Sequence, residues 1–168
     1  MIPANIREAA QHIIEDFTAR ELTVVTAESC TGGLVGGALT EIAGSSAVLQ
    51  CGFITYSNEA KMALLGVSDE VIETFGSVSV ACAWAMAQGA LKRSGADVAV
   101  AITGIAGPGG GSAMKPVGTV VFARAERHAD PDKIVADRKE FGDLGRAGVR
   151  LQAALCALEL LLPESTGP

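Results

Sequence analysis

The chain has 168 residues, 49% of them hydrophobic, which is enough to bury a substantial core and too apolar for a disordered segment. Its formal net charge of −6 disfavours a nucleic-acid partner, because a phosphate backbone is bound by a basic face. No apolar run is long enough to cross a bilayer, and Met1–Asn5 lacks a basic stretch followed by an apolar one, so neither a membrane span nor a secretion signal is expected. One domain over residues 1–168 is expected, with 163–168 as a loose tail.

Ile6, Ala10, Ile13, Ile14 and Phe17 recur at helical spacing and predict a first helix over 3–19. The apolar run 22–27 reads as a strand and the Gly- and Ala-rich run 32–43 as a helix. A second strand is expected over 47–56, followed by a turn into a helix. Ser68 reads as the cap of a short helix, and 79–93 as a longer one with Val80, Trp84, Ala87 and Leu91 on its apolar stripe. Residues 97–103 are apolar on both faces, as a central covered strand should be. Strands over 117–124 and 133–141, joined by a polar link, suggest an antiparallel pair. A final helix over 145–162 carries Val149, Leu151, Leu155, Leu158 and Leu162 on its buried side. This order predicts a three-layer α/β/α domain with a mixed sheet.

Three polar turns leave predicted strand ends: 26–33, 56–61 and 103–112. Ligands in such folds gather at the carboxyl ends of strands, so these turns meet on one edge if their strands are parallel neighbours. The first turn, Thr26-Ala-Glu-Ser-Cys-Thr-Gly-Gly33, presents Ser29, Cys30 and Thr31 ahead of a helix. Unpaired N–H groups there suit an anion or oxyanion. The plainer alternative makes Thr31 an N-cap and leaves Gly32 and Gly33 only to shape the turn. The second turn holds Tyr56, Asn58 and Lys61. The third, Thr103-Gly-Ile-Ala-Gly-Pro-Gly-Gly110, lacks a P-loop pattern but can bring backbone N–H groups to a phosphate or carboxylate.

The only histidines are His12 and His128, so a serine nucleophile has little access to an imidazole base. Lys61 can fill that role if its pKa falls from about 10.4 toward neutrality through burial; Ser–Lys pairs are a known variant of the triad logic. Cys30 is the rival nucleophile. Cys30, Cys51, Cys82 and Cys156 form no CxxC pair, which argues for reduced thiols in a cytoplasmic protein and against structural zinc.

Ala27-Glu-Ser-Cys-Thr-Gly-Gly33, Tyr56-Ser-Asn58 with Lys61 and Leu64-Leu-Gly-Val67, and Thr103-Gly-Ile-Ala-Gly-Pro-Gly-Gly110 together resemble the C-terminal domain of the competence/damage-inducible protein CinA. The resemblance runs from about Ile6 to Leu162. Phe141-Gly-Asp143 and the segment from Gly145 to Arg150 also resemble the family's late Gly- and Arg-containing segment, with Leu144 as a departure from it. Stand-alone members are nicotinamide-nucleotide amidohydrolases. The resemblance therefore implies hydrolysis of the carboxamide of nicotinamide mononucleotide to nicotinate mononucleotide and ammonia. It also implies no metal or cofactor, a role in pyridine nucleotide salvage, a small-molecule nucleotide partner and a homo-oligomer. The chain is expected to lack the extra N-terminal domain of larger members.

On that reading Ser29 is the nucleophile, Lys61 the base, and Tyr56 orients the lysine or the amide. Cys30, Thr31, Gly32 and Gly33 supply oxyanion contacts. Asn58, Thr103, Gly104, Gly107 and Arg146 contact the rest of the substrate, with Arg150 as the alternative phosphate ligand. The competing reading is a non-catalytic nucleotide-binding module that acts through a protein partner.

Overall fold

The computed structural model describes residues 1–163; the expected loose tail lies almost wholly outside the described residues. A five-stranded sheet of order β2-β1-β3-β4-β5 forms the middle layer. Its members are β1 (Val24–Glu28), β2 (Leu49–Ile54), β3 (Val98–Gly104), β4 (Thr119–Glu126) and β5 (Val135–Glu140). β2, β1 and β3 run parallel, whereas β4 and β5 are antiparallel to their neighbours. The mixed three-layer α/β/α arrangement read from the sequence is the one observed.

Helices α1 (Ala4–Ala19), α2 (Leu34–Thr40) and α6 (Gly145–Leu161) cover one face. The other carries α3 (Asn58–Leu65), α4 (Asp69–Phe75) and α5 (Val80–Ser94). Alternation along β3 explains how one strand serves two layers. Val98, Val100 and Ile102 join the core under α1, α2 and α6, while Ala99 and Ala101 face α5. The small residues on the second side let α5 lie close to the sheet.

Two helices bury only part of the stripe periodicity suggests: Ala87 and Leu91 on α5, Val149 and Leu158 on α6. On α5 the buried set is Cys82, Ala83, Met86, Ala87, Gly89, Ala90 and Leu91; Val80 is exposed and Trp84 only half-buried. On α6 the alanines Ala153, Ala154 and Ala157 go inward with Val149, Leu158 and Leu161, while Leu151, Leu155 and Leu162 are only partly buried. Close helix contacts favour small side chains, so alanines and a glycine share these faces with Met86, Leu158 and Leu161, while Trp84, Leu151 and Leu155 stand at the margins. The closest approach is at Gly89. A Cβ there would stand 1.8 Å from the carbonyl oxygen of Leu65 at the end of α3. That contact seats α3, and with it Lys61, against α5.

Because β2, β1 and β3 are parallel neighbours, the turns that follow them open on the same edge of the sheet. The main chain ties them further: Ser29 N–H donates to the Ile102 carbonyl, and Thr55 N–H donates to the Glu28 carbonyl.

Candidate active site

At that edge lies a cavity of about 290 Å³, lined among others by Ser29, Cys30, Tyr56, Asn58, Lys61, Thr103, Gly104, Gly107 and Arg146. Ser29 follows β1 directly and is 7% exposed. Lys61 is in the first turn of α3, whose start is capped by the Ser57 hydroxyl accepting from Ala60 N–H. Helical geometry turns Lys61 back under the β2–α3 turn, where it is only 2% exposed.

Lys61 Nζ lies 2.9 Å from Ser29 Oγ and donates to the Thr55 carbonyl oxygen, also at 2.9 Å. No carboxylate forms an ion pair with it among the described residues. Burial therefore lowers its pKa from 10.5, and the nearby Cys82 and Cys30 sulfurs only partly oppose that shift. An amine whose pKa is lowered, at hydrogen-bond distance from a hydroxyl, is placed to take its proton when unprotonated.

The turn that carries Ser29 is built by a residue with no motif role of its own. Glu28, 1% exposed, accepts from the N–H groups of Gly33, Val35 and Gly36 at 3.2, 3.0 and 3.1 Å. Of the plainer alternative, the Thr31 cap fails and the turn-shaping glycines hold. The N-cap position is Gly33, and the Thr31 hydroxyl is buried without a hydrogen-bond partner. Gly32 and Gly33 have φ of +58° and +102°, a left-handed pair that swings the chain so that the Glu28 side chain reaches the start of α2. A carboxylate followed five to eight residues later by a Gly-rich helix start is the signal that would have located this contact.

The turn also divides the expected oxyanion donors. Gly32 N–H donates to the Ser29 carbonyl and Gly33 N–H to Glu28, so neither is free for a ligand. Thr31, Gly32 and Gly33 do not line the cavity, whereas Cys30 does. The Cys30 and Thr31 N–H groups have no acceptor among the described residues. The Cys30 thiol is pushed up to about 11, chiefly by burial and further by the Glu28 charge, against the opposing pull of its own backbone N–H and smaller effects of Arg150 and Lys61. A neutral thiol is a poor nucleophile. Cys30→Ala is accordingly expected to retain at least about half of wild-type turnover, checked by ammonia release; a loss as large as that of Ser29→Ala would reverse the assignment.

Tyr56 forms no hydrogen bond with Lys61 among the described residues. It is 59% exposed, and its hydroxyl accepts from Arg146 Nη2. Arg146 Nη1 donates to the Gly107 carbonyl at 2.8 Å, so the arginine spans the second and third turns across the cavity. Arg150 is engaged elsewhere. It donates to the Cys30 and Thr31 carbonyls at 3.0 and 3.2 Å and fixes the turn after β1 from outside the cavity lining. Thr103 donates its hydroxyl to the Ser77 carbonyl at 2.8 Å. Neither histidine lines the cavity.

The CinA C-terminal domain family model matches residues 6–164. A nicotinamide-nucleotide amidohydrolase PncC from Enterobacter agglomerans is 48% identical over 164 residues, covering 98% of both chains. The protein of the same name from Escherichia coli K12 is 46% identical over 161 residues, covering 96% of this chain and 95% of that one. The crystal structure of competence/damage inducible protein CihA from Agrobacterium tumefaciens matches with a TM-score of 0.92 at 55% identity, over 96% of each chain.

Proposed function

The chain belongs to the CinA C-terminal domain family, and on that premise we propose that it hydrolyses the carboxamide of nicotinamide mononucleotide, giving nicotinate mononucleotide and ammonia. The observation that carries the reading is the buried 2.9 Å contact between Lys61 Nζ and Ser29 Oγ at the wall of the cavity. Ser29 Oγ attacks the amide carbon while its proton passes to Lys61 Nζ. The carbonyl oxygen becomes an oxyanion, which the Cys30 N–H can meet. Collapse breaks the C–N bond as Lys61 returns the proton to the departing nitrogen, releasing ammonia and leaving an ester on Ser29. Water then adds to the ester with Lys61 again taking the proton, and the second collapse frees the carboxylate product and restores the serine. Such a reaction suits pyridine nucleotide salvage.

The deciding experiment incubates the purified protein with nicotinamide mononucleotide and measures ammonia. Calorimetric binding without ammonia would favour the competing reading, a nucleotide-binding module. Free nicotinamide is the natural control, because it lacks the ribose and phosphate that Arg146 and the glycine loop are proposed to hold.

The substrate's phosphate is the proposed partner of Arg146. Its guanidinium already faces the cavity, and a hydrogen bond between charged groups is worth about 1.5–3 kcal/mol. Arg146→Ala is expected to raise KM for the nucleotide roughly 10–100-fold. Activity on the phosphate-free riboside should change little. Equal losses on both substrates would assign Arg146 to holding Tyr56 and Gly107 instead.

A further inference from the structure

Glu28 combines burial, the absence of a cationic partner and a place one residue before the nucleophile. No Lys, Arg or His forms an ion pair with it among the described residues. A buried carboxylate without a counter-ion is costly unless its oxygens are filled with hydrogen bonds. Both are filled here, by three main-chain N–H groups of the segment that turns into α2. Its main chain is engaged as well: the Glu28 carbonyl accepts the Thr55 N–H at 2.8 Å, and the Thr55 carbonyl accepts from Lys61 Nζ. The side chain of Glu28 therefore braces the turn carrying Ser29, while its backbone braces the residue that holds Lys61.

We propose that Glu28 is a positioning residue, whose carboxylate fixes the Ser29 turn against Lys61 and so sets the geometry of proton transfer. The inference rests on Ser29 being the nucleophile of the proposed reaction. It goes beyond that reading by giving the rate a dependence on a residue that the substrate never touches. The mechanical reason is short reach. Ser29 is adjacent to Glu28 in the chain, and a displacement of about 1 Å at reacting atoms can cost about a hundredfold in rate.

Glu28→Ala and Glu28→Gln are to be compared with wild type by two measurements. One is kcat and KM with nicotinamide mononucleotide. The other is the rate of labelling by a fluorophosphonate, in which Ser29 Oγ forms a bond to phosphorus, fluoride leaves and Lys61 accepts the hydroxyl proton. The labelling rate reports the Ser29–Lys61 pair whatever the natural amide is, so failure of the substrate reading and failure of this inference are separable. Glu28→Ala is expected to lower kcat and the labelling rate together by at least thirtyfold, with KM within threefold of wild type. Glu28→Gln keeps one acceptor oxygen and should recover part of both rates. Should the alanine variant not fold, the glutamine variant decides, with an expected loss in both rates of at least fivefold. Folded variants that label and turn over within threefold of wild type, with only a lowered thermal midpoint, would reduce Glu28 to a scaffold role and overturn the proposal. Wild-type protein that does not label at Ser29 would overturn it together with the serine assignment.

Discussion

Ser29→Ala is expected to lower ammonia release from nicotinamide mononucleotide by at least a hundredfold while leaving the fold intact. The change deletes one oxygen from a residue that is 7% exposed and breaks a single side-chain contact, to Lys61. Lys61 Nζ keeps the Thr55 carbonyl as a partner, so the amine is not stranded. The stability cost should be no more than about 1 kcal/mol, the usual net value of one hydrogen bond. Turnover suffers far more, because the covalent route disappears and with it the use of Lys61 as its base, an effect of about 10²–10⁴-fold by itself. Only oxyanion contacts and substrate binding would remain to accelerate direct attack by water, which is why the loss need not be total. Steady-state ammonia assays on protein with an unchanged thermal midpoint make the test. Activity within tenfold of wild type would remove Ser29 from the nucleophile role.

The layers of the fold and the convergence of three turns were legible because they depend on periodicity and on strand direction. Runs such as Val98–Ile102 admit few environments other than a central strand. Side-chain destinations were less legible. Nothing in the order Tyr56, Lys61, Arg146 tells which of the latter two meets the phenol; the answer depends on how far α3 and α6 stand from the turn. The first turn likewise looked like a helix start awaiting an anion. Its start is already occupied by the Glu28 carboxylate, and that contact exists only because two left-handed glycines reverse the chain. Side-chain size likewise does not mark the buried faces of α5 and α6. There, close packing buries alanine and glycine ahead of Val80, Leu151 and Leu155. The sequence leaves Arg150 open as a phosphate ligand, because its contact with the Cys30 and Thr31 carbonyls is a tertiary fact with no local sequence signature.

Lys61→Ala and Lys61→Arg are each expected to lower turnover at least a hundredfold, and the wild-type pH profile should show why. Burial lowers the lysine's pKa from its ordinary value of 10.5. Below the lowered value the amine is protonated and cannot accept the Ser29 proton; above it the base is free. Wild-type kcat/KM should therefore rise with pH through that pKa and then level off. The residual activity of Lys61→Ala should lack this rise. Lys61→Arg keeps a charged, hydrogen-bonding side chain but cannot act as a base near neutral pH, so it separates proton transfer from mere positive charge. Folding stability carries a matching signature. Between the lowered native pKa and 10.5, the unfolded chain binds a proton that the native state does not, so stability rises with pH across that window. The penalty for burying the amine grows as pH falls from 10.5 and becomes constant below the native pKa. Denaturant titrations of wild type and Lys61→Met across this range should differ by a gap that narrows in favour of wild type as pH rises. A Lys61→Arg enzyme with near-wild-type turnover, or a wild-type rate that falls with rising pH, would show that Lys61 serves as a fixed cation and that the serine proton goes elsewhere.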